Sequence, residues 1–185
     1  MSKGILTLIE NADFMFENTP VKIRVNRNCP AIELPGLEVG PFKEGEEQEV
    51  RFWIANELEK AGIARLRREE ALGAIKLYKM HWKESVQPAT QISSLPEDFY
   101  PGLRRYLKNL KKDAVRNPEK MKEYEKTTRL ARDITNCRLK KIVSLASAPA
   151  QTDQTLSNLT REEQGIYESL RKIIDSWRSA ILKLR

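Results

Sequence analysis

The residues of this chain that could do chemistry are few, and their spacing sets limits. His81 is the single histidine and stands beside Trp82. It has no second imidazole with which to share a metal or a proton relay, so packing or surface exposure is its expected role. Cys29 and Cys137 are the two cysteines and form no C-x-x-C pair, so neither a zinc site nor a disulfide framework is expected. Gly40 and Gly45 frame a loop, but no Lys-Ser or Lys-Thr follows Gly45, and the phosphate cradle of a P-loop is therefore missing. G-x-S-x-G and H-E-x-x-H patterns are absent from the sequence. The carboxylates are scattered, with none of the isolated pairs in apolar surroundings that acid–base catalysis requires. These residues imply a protein that is not an enzyme and that uses no metal and no cofactor.

What remains is charge. On a helical wheel with Lys108 at the origin, Arg104, Arg105, Lys111 and Lys112 fall within about 60° of it. Phe99, Leu103, Tyr106 and Leu110 fall on the opposite side. Like charges one turn apart cost roughly 0.2–0.5 kcal/mol per pair, so a helix that needed only solubility would mix its signs. Two functional readings fit a five-cation stripe without an acid: contact with nucleic acid, or with an acidic protein face. A third reading is that acids of another segment, Glu57 or Glu84 for example, cover it. The chain as a whole carries a formal net charge of +7. Residues 1–48 hold five basic and eight acidic side chains, the remainder 28 basic and 18 acidic, so the excess lies in the second region.

The elements that must carry this stripe follow from periodicity. "VKIRV" (21–25) alternates like a half-buried strand, and "AIEL" and "LEV" are short strands parted by Pro35-Gly36. The first dozen residues fit either a helical turn or a strand. After Gly45 the spacing of Val50, Ile54, Leu58 and Ala61 marks a helix. Glu46, Glu47 and Glu49 are expected in its first turn, facing the positive end of its dipole, and Gly62 is expected to end it. "IARL" is an extended link. A second helix is expected from Arg68 to Glu84, marked by Leu72, Ile75 and Tyr78. Ser94-Leu95-Pro96-Glu97 fits a capping box for a third helix running to Asp113, with Pro101 limiting its regular start. A fourth helix follows over 118–146. Thr160-Arg161-Glu162-Glu163 is a second capping box, opening a helix to the C-terminus.

Two helices differ in apolar girth. In the last, Ile166, Tyr167, Leu170, Ile173, Ile174, Trp177, Ile181 and Leu184 lie within about 60° of Leu170, the width of one buried face. Packing in the chain's own core is expected there. In the fourth, Leu130, Ala131, Ile134, Leu139, Ile142, Val143 and Leu145 spread over roughly 220°, wider than one core contact needs. Its second side is expected to meet a partner subunit. The fold class is α+β: a small β-rich domain (1–45) followed by a mostly α-helical domain of about five helices (46–185). No apolar run approaches the ~20 residues that span a bilayer, and the opening MSKGILTLIENADF is too short in apolar residues for a signal peptide. An intracellular protein without a membrane contact is expected.

The stretch "VGPFKEGEEQEVRFWIANEL" carries a resemblance. Gly40, Pro41, Phe42, Gly45, Glu49, Val50, Trp53, Ala55 and Leu58 stand at the spacing of the domain junction of the GINS proteins, subunits of a tetrameric replication factor. The likeness continues through "ARL", "FYPGLRRYL" and "RLKKI". The small β domain comes first, as in two of the eukaryotic subunits and the archaeal subunit related to both. The Pro101-Gly102 pair departs from the pattern, and the last helix follows it in periodicity only. The resemblance implies a non-catalytic scaffold that joins and activates the MCM replicative helicase with a RecJ-like partner and touches primase or polymerase. It implies a 2:2 heterotetramer with a sister subunit whose helical domain comes first. It also implies a location on the chromosome, in the cytoplasm of an archaeon or the nucleus of a eukaryote. In that frame Phe42 and Trp53 anchor the β domain to the helices, and Leu130, Ile134, Leu139, Ile142, Val143 and Leu145 form the subunit interface. A free-standing helical nucleic-acid-binding module, with direct DNA contact through the basic stripe, is the alternative.

Overall fold

The computed structural model describes residues 2–67, 72–115, 117–149 and 152–182. The chain divides into two compact units, one of Asp13–Ala71 and one of Met1–Ala12 with Leu72–Arg185. A small β-rich region thus precedes a mostly helical one, an α+β architecture. The expected division after residue 45 falls inside the smaller unit, because the helix beyond it packs on the strands.

The smaller unit takes the end of α1 (Ser2–Glu17), strands β1 (Pro20–Val25), β2 (Ile32–Leu34), β3 (Leu37–Val39), β4 (Glu47–Arg51) and β5 (Ala64–Leu66), and α2 (Phe52–Lys60). β1 is central in an antiparallel sheet of order β4-β1-β5, and β2 and β3 form a separate hairpin. The acids of 46–49 do not start a helix. Glu47 and Glu49 lie on β4, opposite Arg24 and Lys22 of β1, where cross-strand opposite charges stabilise the pairing by roughly 0.2–1 kcal/mol each. The helix begins only at Phe52 and buries Ile54, Ala55 and Leu58. It ends as expected at Gly62, whose φ of 69° lets the Ile63 amide reach back to the Leu58 carbonyl at 2.9 Å. Phe42 is buried with Ile23, Val25, Val39, Ile54, Ala55, Leu58 and Ala64 in one apolar cluster, and Trp53 packs half-buried against it. Gly40 has a φ of 100°, and a Cβ there would meet the Phe42 ring at 3.1 Å, so glycine is needed beside the aromatic.

The larger unit holds α3 (Ala74–Val86), α4 (Phe99–Ala114), α5 (Pro118–Ser147), the short α6 (Asp153–Leu156) and α7 (Arg161–Leu182). The expected start of the second helix at 68–71 and the last stripe residue, Leu184, lie outside the described residues. α3, α4 and α7 pack on α5, the longest helix. Leu77, Phe99, Leu103, Ala131 and Ile134 form one buried cluster, and Ile92, Ile142, Leu145 and Leu159 another. The first capping box does not form. Asp98 precedes α4 without a side-chain cap, and Glu97 turns outward to Arg161 at 2.8 Å. The second box does form: the Thr160 amide donates to Glu163 Oε2 at 3.0 Å and the Glu163 amide to Thr160 Oγ1 at 3.4 Å. Gly165 in α7 leaves room for Leu8 of α1, whose Cδ1 would lie 2.4 Å from an added Cβ.

Candidate partner-binding surfaces

The helical unit is organised around a charged centre. Arg138 is 0% exposed, with Glu84 and Glu163 at 1% each. Its Nε donates to Glu163 Oε1 at 2.7 Å and its Nη2 to Glu163 Oε2 at 2.5 Å. Its Nη1 donates to Glu84 Oε2 at 3.1 Å and to the Ser93 carbonyl at 2.5 Å, and Nη2 also reaches the Asn158 carbonyl at 3.2 Å. All the N–H donors of the guanidinium are therefore satisfied. Lys141 Nζ lies 2.8 Å from Glu84 Oε1 and donates to the Glu84 carbonyl at 2.7 Å. Ser93 Oγ donates to Glu84 as well, and Tyr100 Oη to Glu163 at 2.6 Å.

Burial alone would raise the Glu84 pKa. The hydrogen bonds from Lys141 and Ser93 and the charges of Arg138 and Lys141 outweigh it and hold the carboxyl below the ordinary range. Burial, then the Glu163 carboxylate, push the Tyr100 phenol far up, so it stays a donor. The network ties α3, α4, α5 and α7 to the turns at Ser93 and Asn158. Closed to solvent, it offers no place for a substrate and fixes how the helices sit.

This centre is invisible to a reading that takes charged side chains as solvent-facing. One signal pointed to it: Arg138 and Lys141 stand at helical spacing between Ile134, Ile142 and Leu145, where a purely apolar stripe would be expected.

The basic stripe sits on α4. Lys108, Lys111 and Lys112 are exposed, and among the described residues no acid pairs with them. Arg104 and Arg105 are half-buried. Arg104 lies 3.8 Å from Glu162 Oε1, a buried carboxylate in the first turn of α7. The stripe is thus tethered at one end by Glu162. Glu84, one of the two acids that could have covered it, is instead held by Arg138 and Lys141. Opposite the stripe, Phe99, Leu103 and Leu110 are buried as the wheel predicts.

Of the six residues expected at the subunit interface, Ile134, Ile142 and Leu145 are enclosed in the chain's own core. Leu130 packs half-buried against it. Leu139 and Val143 are the two that remain exposed. The wide girth of α5 arises because α3, α4 and α7 cover it from several directions. Conversely, the stripe of α7 expected in the core is only half covered. Ile166, Tyr167 and Leu170 pack against the second cluster, while Ile173, Trp177 and Ile181 are exposed. Arg171 and Arg178 in this half donate to the Ala148 and Ser147 carbonyls at 2.6 and 2.7 Å. They hold the exposed segment to the end of α5.

Of the junction motif, Phe42 and Leu58 are buried and Val50 and Trp53 half-buried inside the smaller unit, with Gly40, Pro41 and Gly45 shaping its turns. Among the described residues no group of three or more His, Cys, Asp and Glu could hold a metal ion. No described helix is long and apolar enough to cross a membrane.

A helical unit of this build, preceded by a small β-rich one, defines a class. Residues 71–182 match the GINS complex protein helical bundle domain, and the chain belongs to the GINS family, as a subunit with its β-rich part first. Residues 8–67 match the PSF2 N-terminal domain. The chain is also similar to the human protein described as DNA replication complex GINS protein PSF2, at 29% identity over 154 residues, covering 82% of this chain and 79% of that protein. The chain is accordingly a subunit of the GINS complex of DNA replication, whose partners include other GINS subunits.

Proposed function

We propose that the chain is a non-catalytic scaffold at the replication fork. It assembles with a sister subunit, two copies of each, and joins the MCM replicative helicase to a RecJ-like partner, with primase or polymerase nearby. The observation that supports assembly is the uncovered apolar surface of Ile173, Trp177 and Ile181 on α7 and Leu139 and Val143 on α5. Exposed apolar residues repeated at one-turn spacing on each helix mark an interaction site. Changing Trp177→Glu with Ile173→Glu tests it. Native mass measurement with the sister chain should give a tetramer for the unchanged chain and unassembled subunits for the variant. An intact tetramer from the variant would place the interface elsewhere.

The α4 stripe is assigned to an acidic face of the helicase assembly, because complementary patches orient docking and speed it. A second reading, direct DNA contact, is favoured by the exposure of Lys108, Lys111 and Lys112, which pair with no acid among the described residues. The triple change Arg104→Glu, Arg105→Glu and Lys108→Glu separates the two when assayed on DNA and on the helicase in parallel. DNA contact predicts a log–log salt slope of about −0.9 per duplex phosphate neutralised, lost in the variant. Docking on protein predicts weak DNA binding unchanged by the variant, with helicase association reduced.

A further inference from the structure

Helix α3 has two apolar faces. Leu77 and Glu84 point inward, into the core and the charged network. On the other side Ile75, Tyr78, Trp82 and Val86 are 74%, 64%, 62% and 65% exposed. At 100° per residue these four lie within about 80° of one another, a stripe about 16 Å long at 1.5 Å per residue. Their spacing of i, i+3, i+7 and i+11 is that of the anchors by which one helix lies against another. One flank is basic: Lys76, Lys79 and Lys83 are exposed. Among the described residues none of the three has an ion-pair partner, and the solvent-facing part of α3 carries no acid.

We infer that this face of α3 is a docking site for an acidic amphipathic helix of a partner protein. The partner's apolar residues would lie on Tyr78 and Trp82 and its carboxylates against Lys76, Lys79 and Lys83. Aromatic anchors with a charged rim are the usual make-up of such contacts. The aliphatic ends of the stripe favour a protein over single-stranded nucleic acid. Bases would stack on Tyr78 and Trp82 but find nothing to do with Ile75 and Val86. The face shares no residue with the α5–α7 surface assigned to subunit assembly or with the α4 stripe, so its fate does not decide theirs.

The test uses the full chain and a fluorescent synthetic helix of about five turns, with leucines at i, i+3, i+4 and i+7 and glutamates on the flanks. A lysine-flanked version, an oligothymidylate and a light-scattering dilution series accompany it. The glutamate peptide should bind and the lysine peptide should not. Tyr78→Ala with Trp82→Ala should weaken binding by about tenfold or more, that is by about 1.4 kcal/mol or more. Lys76→Glu, Lys79→Glu and Lys83→Glu together should transfer the preference to the lysine peptide. All five side chains are exposed, so the variants should keep the helical signal and melting temperature of the parent chain, which is checked first. Four results overturn the inference: no peptide binding, equal binding of both peptides, binding of the oligothymidylate alone with loss in the same variants, or self-association that disappears with Trp82→Ala.

Discussion

The two units bury different things. The smaller unit closes on an apolar cluster around Phe42, with opposite charges in register on neighbouring strands at Arg24 and Glu47 and at Lys22 and Glu49. The helical unit encloses three glutamates, an arginine and a lysine among its helices, yet leaves Ile173, Trp177 and Ile181 in solvent. Apolar burial stabilises without fixing direction. A buried guanidinium with every donor occupied fixes direction, and it tolerates no missing partner. The contrast suggests a division of labour. The small unit needs only to be folded, whereas the helical unit must hold its outer faces in fixed relation for partners to meet.

The largest effect should come from breaking the charged centre. Arg138→Met leaves Glu84 and Glu163 buried without their main partner and should cost about 3–5 kcal/mol in urea unfolding. Adding Glu84→Met, Lys141→Met and Glu163→Leu should recover much of that loss, since apolar replacement of a whole buried ion group is often neutral. Phe42→Ala, in the other unit, should cost a similar ~3–5 kcal/mol, but no second change should rescue it. Trp53→Ala should cost less than Phe42→Ala, because Trp53 is only half-buried.

Acid should separate the units next. The folded pKa of Glu84 is depressed, so its stabilisation is complete above the ordinary glutamate value of about 4.3 and is lost as pH falls through the folded value. Amide signals of α3 and α5 should therefore lose dispersion at a higher pH than those of β1 and β4. The reverse order would remove the distinction drawn between the two cores. The smallest effect expected is that of Thr160→Ala, about 1 kcal/mol from the lost cap of α7.

Much of this contrast is written in the sequence, unevenly. Alternation placed β1, and the breaker at Pro35-Gly36 placed the β2–β3 hairpin. From sequence alone β4 reads as a helix start, because its acids fit a dipole equally well. Only the register against Lys22 and Arg24, a long-range fact, decides between the two. The Thr160 box was legible because both of its partners are local. The Ser94 box has the same pattern, but α4 begins beyond it, at Phe99. In α7 the periodicity gave the apolar face correctly and misjudged what covers it, since spacing carries no knowledge of neighbours. On α3, Ile75 and Tyr78 marked the helix, while Leu77 turned out to be the residue in the core. The charged centre escaped because its members lie far apart in the chain, at Glu84, Arg138 and Glu163.

The helical unit is complete inside and incomplete outside. Light scattering of the chain alone and with its sister subunit tests this most directly. The chain should self-associate alone and form a discrete heterotetramer on mixing. A monodisperse monomer that is indifferent to the sister subunit would contradict it.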